Sequence, residues 1–123
     1  MKTPFRPILQ RTVERVPGAL GAVFADWEGE AVDSFAPEMP GDELLVIAAH
    51  YAVILNHVQS VLHLTHHGEA DEVILRHGKI DLVLRAVDRH YVIALATRAE
   101  GSSHLATALR EVATAVTALR AEI

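Results

Sequence analysis

The 123-residue chain contains no cysteine, few aromatic residues and no basic tract. Without cysteine it forms no disulfide bond and has no thiol chemistry, which is typical of a protein in a reducing compartment, so we expect a cytoplasmic location. The formal net charge is −5, and the positive stripe that attracts nucleic acid or an anionic membrane surface is missing. We therefore expect proteins or small molecules as partners and no binding to nucleic acid.

Long apolar segments are also missing. The N-terminal residues lack the continuous apolar core of a signal peptide. The apolar run LLVIAAHYAVIL, residues 44–55, is shorter than the roughly 20 residues that cross a bilayer. These observations predict no membrane insertion.

The sequence carries none of the common enzyme motifs. There is no G-x-x-x-x-G-K-[ST] phosphate-binding loop, and G-x-G-x-x-G, G-x-S-x-G and H-E-x-x-H are absent as well. We expect no catalytic residues and no cofactor.

Hydrophobic periodicity predicts eight elements in the order α-β-β-α-β-β-β-α. Five antiparallel strands with helices on both faces make a three-layer α+β fold, here a single domain over residues 1–123. Thr3 is the expected N-cap of the first helix, Gly21 is expected to admit a close neighbour, and Gly29 is expected at a turn that needs a positive φ. The predicted elements are a helix over about 4–16, strands at 19–26 and 30–35, a helix from Asp42 to about His67, strands at 71–77, 79–87 and 91–98, and a helix opening at Ser102 or Ser103.

The stretch VPGALGAVFADWEGEAV, together with this element order, resembles the roadblock/LC7 superfamily, which includes dynein light chains, Ragulator scaffold subunits and bacterial gliding-polarity regulators. The resemblance implies a five-stranded sheet with the long helix on one face and the terminal helices on the other. It also implies a non-enzymatic homodimer, joined through the long helix and the third strand, that binds a small Ras-like GTPase and in some members stimulates GTP hydrolysis. The matching residues are Pro17, Gly18, Gly21, Ala22, Val23, Asp26, Gly29 and Val32.

The long central helix is apolar on two sides. Its bulkier face is expected to pack on the sheet of the same chain, and its second, smaller face is expected to meet a second copy. The alternative is that loops of the same chain cover this second face. The bulkier face comprises Leu44, Ile47, Tyr51, Ile54, Leu55, Val58 and Leu62, and the second face comprises Leu45, Ala49, Val53, Asn56 and Ser60.

The third predicted strand has the alternation of a half-exposed edge. Val73 and Leu75 alternate with Ile74, and an unprotected edge strand invites pairing with another chain. We therefore include Val73, Ile74 and Leu75 in the expected dimer interface. The alternative is an ordinary edge that its charged residues protect.

Histidines are concentrated on and after the long helix. His50, His57 and His63 are expected at the rim of the partner-binding face, where protonation near pH 6 would bring like charges together in a dimer. His63, His66 and His67 have the i, i+3, i+4 spacing of helical metal ligands. Histidines near a helix C-terminus are also explained by the negative end of the helix dipole, so we expect no metal.

Two further functions remain open. A sensor of the PAS or profilin-like kind would enclose a small molecule or a metal between the same layers, which requires a cavity with convergent polar groups. A purely structural subunit of a larger complex would need no GTPase.

Overall fold

The structure, a computed structural model, describes residues 3–39, 42–99 and 104–123. The elements follow the predicted order α-β-β-α-β-β-β-α. They are α1 (Arg6–Arg15), β1 (Ala19–Asp26), β2 (Ala31–Phe35), α2 (Glu43–Leu64), β3 (Glu72–Arg76), β4 (Ile80–Ala86), β5 (Tyr91–Arg98) and α3 (Leu105–Glu122). The predicted helix start at Ser102 or Ser103 lies outside the described residues.

The five strands form one antiparallel sheet in the order β2-β1-β5-β4-β3. β1 and β5 lie at its centre and pair from Ala19 opposite Thr97 to Asp26 opposite Tyr91. β3 pairs with β4 and is an edge strand, as the sequence predicts. The two hairpins β3–β4 and β4–β5 place consecutive strands side by side, so the third, fourth and fifth strands need no long crossover.

Each face of the sheet has its own core, which makes the fold a three-layer α+β sandwich. α1 and α3 cover one face, where Phe24, Val83 and Leu95 are buried together with Leu9 and Leu119. α2 lies over the opposite face. The central strands are buried on both sides, which explains their nearly continuous apolar sequence.

Two glycines allow α2 and its neighbours to approach the sheet closely, as the sequence predicts. A Cβ at Gly21 would lie 2.7 Å from the Cβ of Ala36 and 2.8 Å from a methyl group of Leu44. Gly29 has a φ of +92°, and a Cβ there would lie 3.0 Å from the carbonyl oxygen of Ala49. The β1–β2 turn therefore packs directly against the backbone of α2.

The N-terminal cap differs from the prediction. α1 begins at Arg6, and its N-cap position is Phe5, whose side chain makes no capping hydrogen bond. The Thr3 hydroxyl accepts a hydrogen bond from the Phe5 amide and donates one to the buried carboxylate of Asp33. Arg6 donates to the same carboxylate from Nε at 2.9 Å and Nη2 at 2.6 Å. Thr3 and Arg6 thus fasten the start of α1 to β2.

Asp33→Asn is expected to lower the free energy of unfolding by about 1–2 kcal/mol at pH 7, because it removes the charge from these hydrogen bonds. Burial alone would raise the pKa of Asp33, but hydrogen bonds from Arg6, Thr3 and the Ser34 amide outweigh it and hold the pKa below the ordinary 3.8. A lowered pKa stabilises the fold above the unfolded value, and this contribution is lost as the pH falls through the folded pKa. Urea unfolding at pH 7 and pH 3 measures both effects: the difference between wild type and variant should shrink at pH 3, and a pH-independent difference would contradict this role of the charge.

Candidate protein-interaction surface

α2 lies against the sheet through two alanines and two leucines. Its buried residues are Leu44, Ala48, Ala52 and Leu55. Ala48 and Ala52 are one turn apart and let the helix axis approach the sheet closely. The predicted bulky face is therefore wrong in part, because Ile54 and Val58 point outward and Ile54 is 47% exposed.

Six large apolar side chains on α2 are exposed, and together with two histidines they form what we call the α2 stripe. Val46, Val53 and Leu64 lie within about 20° of one another on the helical wheel. Leu64 is 78% exposed and Val53 42%. The members of the α2 stripe are Val46, His50, Val53, Ile54, His57, Val58, Val61 and Leu64.

The second half of α2 packs only loosely against the rest of the chain. From Asn56 to Leu64, no residue is buried, and only Gln59 and Leu62 are half-buried. Gln59 holds this half of the helix through two hydrogen bonds to the backbone of Ala70, at 2.6 and 2.7 Å. Helices are normally stabilised by burial of an apolar face. In this half of α2, the apolar side chains of Val58, Val61 and Leu64 are exposed instead.

The residues predicted for subunit contact occupy different positions around the helix. Val53 lies in the α2 stripe, and Asn56 and Ser60 are exposed beside it. Leu45 packs partly against the core of its own chain. Ala49 is half-buried beside the Gly29 turn, so little of either side chain is left for a partner.

Sequence reasoning assigned Ile54 and Val58 to the sheet because they are bulky, and it placed Val46, Val61 and Leu64 on neither face of the helix. The available signal was the Ala48–Ala52 pair at i, i+4. Small residues mark whichever side of a helix approaches its neighbour most closely, and here that neighbour is the sheet.

The edge strand β3 lies beside one flank of α2. The Tyr51 hydroxyl is 2.7 Å from Nε2 of His77, just after β3. Ile54 and Val58 lie one and two turns further along this flank. In β3, Val73 and Leu75 are half-buried against the α2-side core, whereas Ile74 points to the opposite face and is exposed.

β3 also carries two charged pairs across to β4. Arg85 is 3.4 Å from Glu72, and Arg76 is 3.5 Å from Asp81. They flank Ile74 on the face of the sheet opposite α2. Among the described residues, no strand pairs with the outer backbone edge of β3.

The three histidines predicted at the rim lie on two sides of α2. His50 and His57 lie within the α2 stripe, and Nδ1 of His50 is 2.8 Å from the carbonyl oxygen of Val46. His63 is exposed on another side of the helix, where it lines a groove.

The helix ends before the second and third members of the proposed metal triad. α2 stops at Leu64, and His66 adopts a left-handed φ of +60°. Its amide bonds to the carbonyl of His63, and the His67 amide bonds to the carbonyl of Leu62, which is the Schellman pattern of helix termination. The i, i+3, i+4 geometry expected of His63, His66 and His67 is therefore wrong. Within the described residues no three histidine or carboxylate side chains are grouped to hold a metal ion.

The full length of α2 also exceeds the apolar run seen in the sequence. With 22 residues it is long and apolar enough to cross a membrane by length and composition alone. The argument from a twelve-residue run is therefore insufficient. Helices on the core of globular proteins pass the same test, and α2 packs on the sheet through four buried residues.

The described residues form several concave regions. One is an open groove of about 370 Å³ between the β1–β2 and β4–β5 turns, lined by Asp26, Trp27, Glu28, Arg89, His90 and Tyr91. A cavity of about 100 Å³ lies near the start of α3 beside Asp81, and it is smaller than the roughly 300–1,000 Å³ of small-molecule sites. An open groove of about 890 Å³ separates the second half of α2 from Trp27 and the β4–β5 turn, with His63, Asp71 and Arg89 among its lining residues. Its walls carry charges of both signs, so it has no evident ligand class.

Several solved structures of known proteins have the same fold as this chain. The Roadblock/LC7 domain from Streptomyces avermitilis superposes with a TM-score of 0.79 at 18% identity, covering 92% of both chains. The chain has the roadblock/LC7 fold. MglC from Myxococcus xanthus matches it with a TM-score of 0.72 at 24% identity, over 98% of this chain and 100% of that one. A structure of MglB described as having a tetrameric arrangement matches with a TM-score of 0.80 at 18% identity, over 97% and 89%.

The roadblock/LC7 resemblance read from the sequence is thereby confirmed for the fold. No family model matches the sequence, and no curated protein does.

Proposed function

We propose that this chain is a non-enzymatic roadblock-type regulator that forms a homodimer and binds a small Ras-like GTPase. The observation that carries the proposal is the α2 stripe on a roadblock/LC7 fold. Six exposed large apolar residues on one helix are more than scattered surface hydrophobes, and contiguous apolar patches mark interaction sites.

A second copy is the occupant that best fits the stripe. The stripe runs the length of α2 and carries no acidic or basic side chain other than histidine. Two-fold pairing places such an apolar surface against itself without unpaired charges. MglB, which shares the fold, has been described in a tetrameric arrangement.

The GTPase partner is proposed from the roadblock/LC7 fold, which this chain shares with MglB and MglC. Binding is expected on a surface that spans the paired α2 helices, with stimulation of GTP hydrolysis as the finer proposal. The chain carries none of the nucleotide-binding motifs, so it would act on a nucleotide held by its partner.

The partner is tested with purified small Ras-like GTPases from the same host, each loaded with GDP or with a non-hydrolysable GTP analogue. We expect at least one to bind in a nucleotide-dependent manner, as measured by biolayer interferometry, while a host GTPase outside the Ras-like class serves as the control. Binding of none of them in either nucleotide state would overturn the GTPase proposal and favour a purely structural subunit.

A further inference from the structure

The segment from Leu44 to Gly68 has an unusual distribution of ionisable groups. It contains no aspartate, glutamate, lysine or arginine, and five histidines: His50, His57, His63, His66 and His67. The remaining ionisable side chain is Tyr51, which lies against His77. The whole segment is therefore uncharged when its histidines are neutral, and acidification below pH 7 adds positive charge alone.

Two of these imidazoles lie inside the α2 stripe. His50 and His57 are seven residues apart, so they project from the same side of the helix. Both are exposed in the single chain, with Val46 and Val53 on the same line and Ile54 and Val61 beside them. A partner that covers the valines must also cover the two imidazoles.

The elements packed against α2 place no charge in an ion pair with either imidazole. α2 makes most of its contacts with β1, β2 and β5, and Tyr51 bonds to His77 just after β3. On β3, Glu72 is paired with Arg85 and Arg76 with Asp81. Glu43 lies in the first turn of α2 itself, and Glu69 and Asp71 follow the helix. The charged groups on β1, β2 and β5 and their adjoining turns include Asp26, Glu28 and Glu30 in the β1–β2 turn, Asp33, Glu38, Asp88, Arg89 and Arg98. Asp33 is paired with Arg6, and Arg98 with Glu38. None of the ion pairs among the described residues involves a histidine.

We propose that protons control the α2 interface: self-association through the stripe requires neutral His50 and His57 and is lost on mild acidification. This inference rests on the proposed homodimer. Burial in an apolar interface penalises the protonated imidazole, and the two-fold axis adds repulsion between like charges of the two subunits. The Nδ1–H donated by His50 to the Val46 carbonyl leaves Nε2 as the site that takes up the proton.

The direction of the effect follows from the charge: an interface that excludes protonated imidazoles weakens as the pH falls, because each proton must be released before the subunits pair. Each imidazole that sheds a proton one pH unit below its half-protonation point weakens the dimer about tenfold. A dimer contains four such groups, so the total lies between about tenfold and about 10⁴-fold.

The experiment measures the dimer dissociation constant of the wild-type chain by sedimentation at pH 8.0, 7.0, 6.0 and 5.5. The test variant carries His50→Gln and His57→Gln together, since glutamine is polar and uncharged at every pH used. The matched control carries His67→Gln and His104→Gln, which replace two exposed histidines outside the stripe. Circular dichroism at each pH verifies that the chain stays folded.

The proposal expects the wild-type and control chains to weaken at least tenfold between pH 8.0 and 5.5, and the test variant to change by less than about threefold. A wild-type dimer with the same dissociation constant at both pH values would overturn the proton switch and leave the proposed homodimer intact. The same pH dependence in the test variant would overturn the assignment to His50 and His57. A monomer at every pH would overturn the homodimer and this inference with it.

Discussion

Val53→Asp is expected to convert the chain from a dimer to a monomer at micromolar concentration. Val53 lies in the middle of the α2 stripe and is 42% exposed in the single chain, so the substitution is compatible with the fold. In the dimer, it buries one unpaired carboxylate per subunit in an apolar surface. Desolvation of an unpaired charge costs several kcal/mol, so the dissociation constant should rise by a factor of about 100 or more.

The control for this substitution is Val32→Asp. Val32 is on β2, is 39% exposed and lies on a strand at the other edge of the sheet from β3. It introduces the same side chain at nearly the same exposure away from the stripe and should leave the mass unchanged. If Val53→Asp assembles as the parent does, the stripe is not the subunit interface.

Gly21→Ala is expected to lower the free energy of unfolding by about 1–3 kcal/mol, the range for overpacking a well-filled site. The new methyl group would lie 2.7 Å from the Cβ and 2.8 Å from the Cα of Ala36, and 2.8 Å from Cδ2 of Leu44. The Cα and Cβ of Ala36, just after β2, cannot rotate away. Relief therefore requires the backbone at Ala36 to move off β1.

Gly78→Ala provides the comparison, because nothing lies within 4 Å of a Cβ at Gly78 and its φ is not positive. Both changes restrict the unfolded chain equally, so the difference between the two variants isolates the packing cost. Urea unfolding of both variants measures it. Equal stability of the two would show that Ala36 and Leu44 accommodate the methyl group, which would contradict the close contact between α2 and β1.

The fold was predictable because the local signals of its strands agree with the tertiary structure. β1 carries apolar or small residues at every position before Asp26, and it is buried on both faces. Gly21 lies within an apolar strand and allows a close approach of Ala36, and Gly29 lies in a turn and has a positive φ. Helix ends are harder to predict, since Thr3 makes hydrogen bonds that hold a strand, and His66, which is not a glycine, takes the left-handed position that closes α2.

The sequence predicts that the candidate surface lies on the long helix, but it does not predict which side of that helix is exposed. α2 is apolar nearly all the way around, so the sequence contains little periodicity to fix its rotation. That rotation is set by Ala48 and Ala52 against the sheet and by the Gly29 turn against Ala49. These contacts join segments far apart in the chain, and they move Val46, Ile54, Val61 and Leu64 to the outside.

The central claim is that a second copy of this chain covers the α2 stripe. Its most direct test is the solution mass of the wild-type chain at micromolar concentration and pH 8, measured by light scattering. The homodimer predicts twice the chain mass of 13.4 kDa. A mass of 13.4 kDa across the concentration range would contradict it. The exposed apolar side chains of α2 would then not be covered by a second copy.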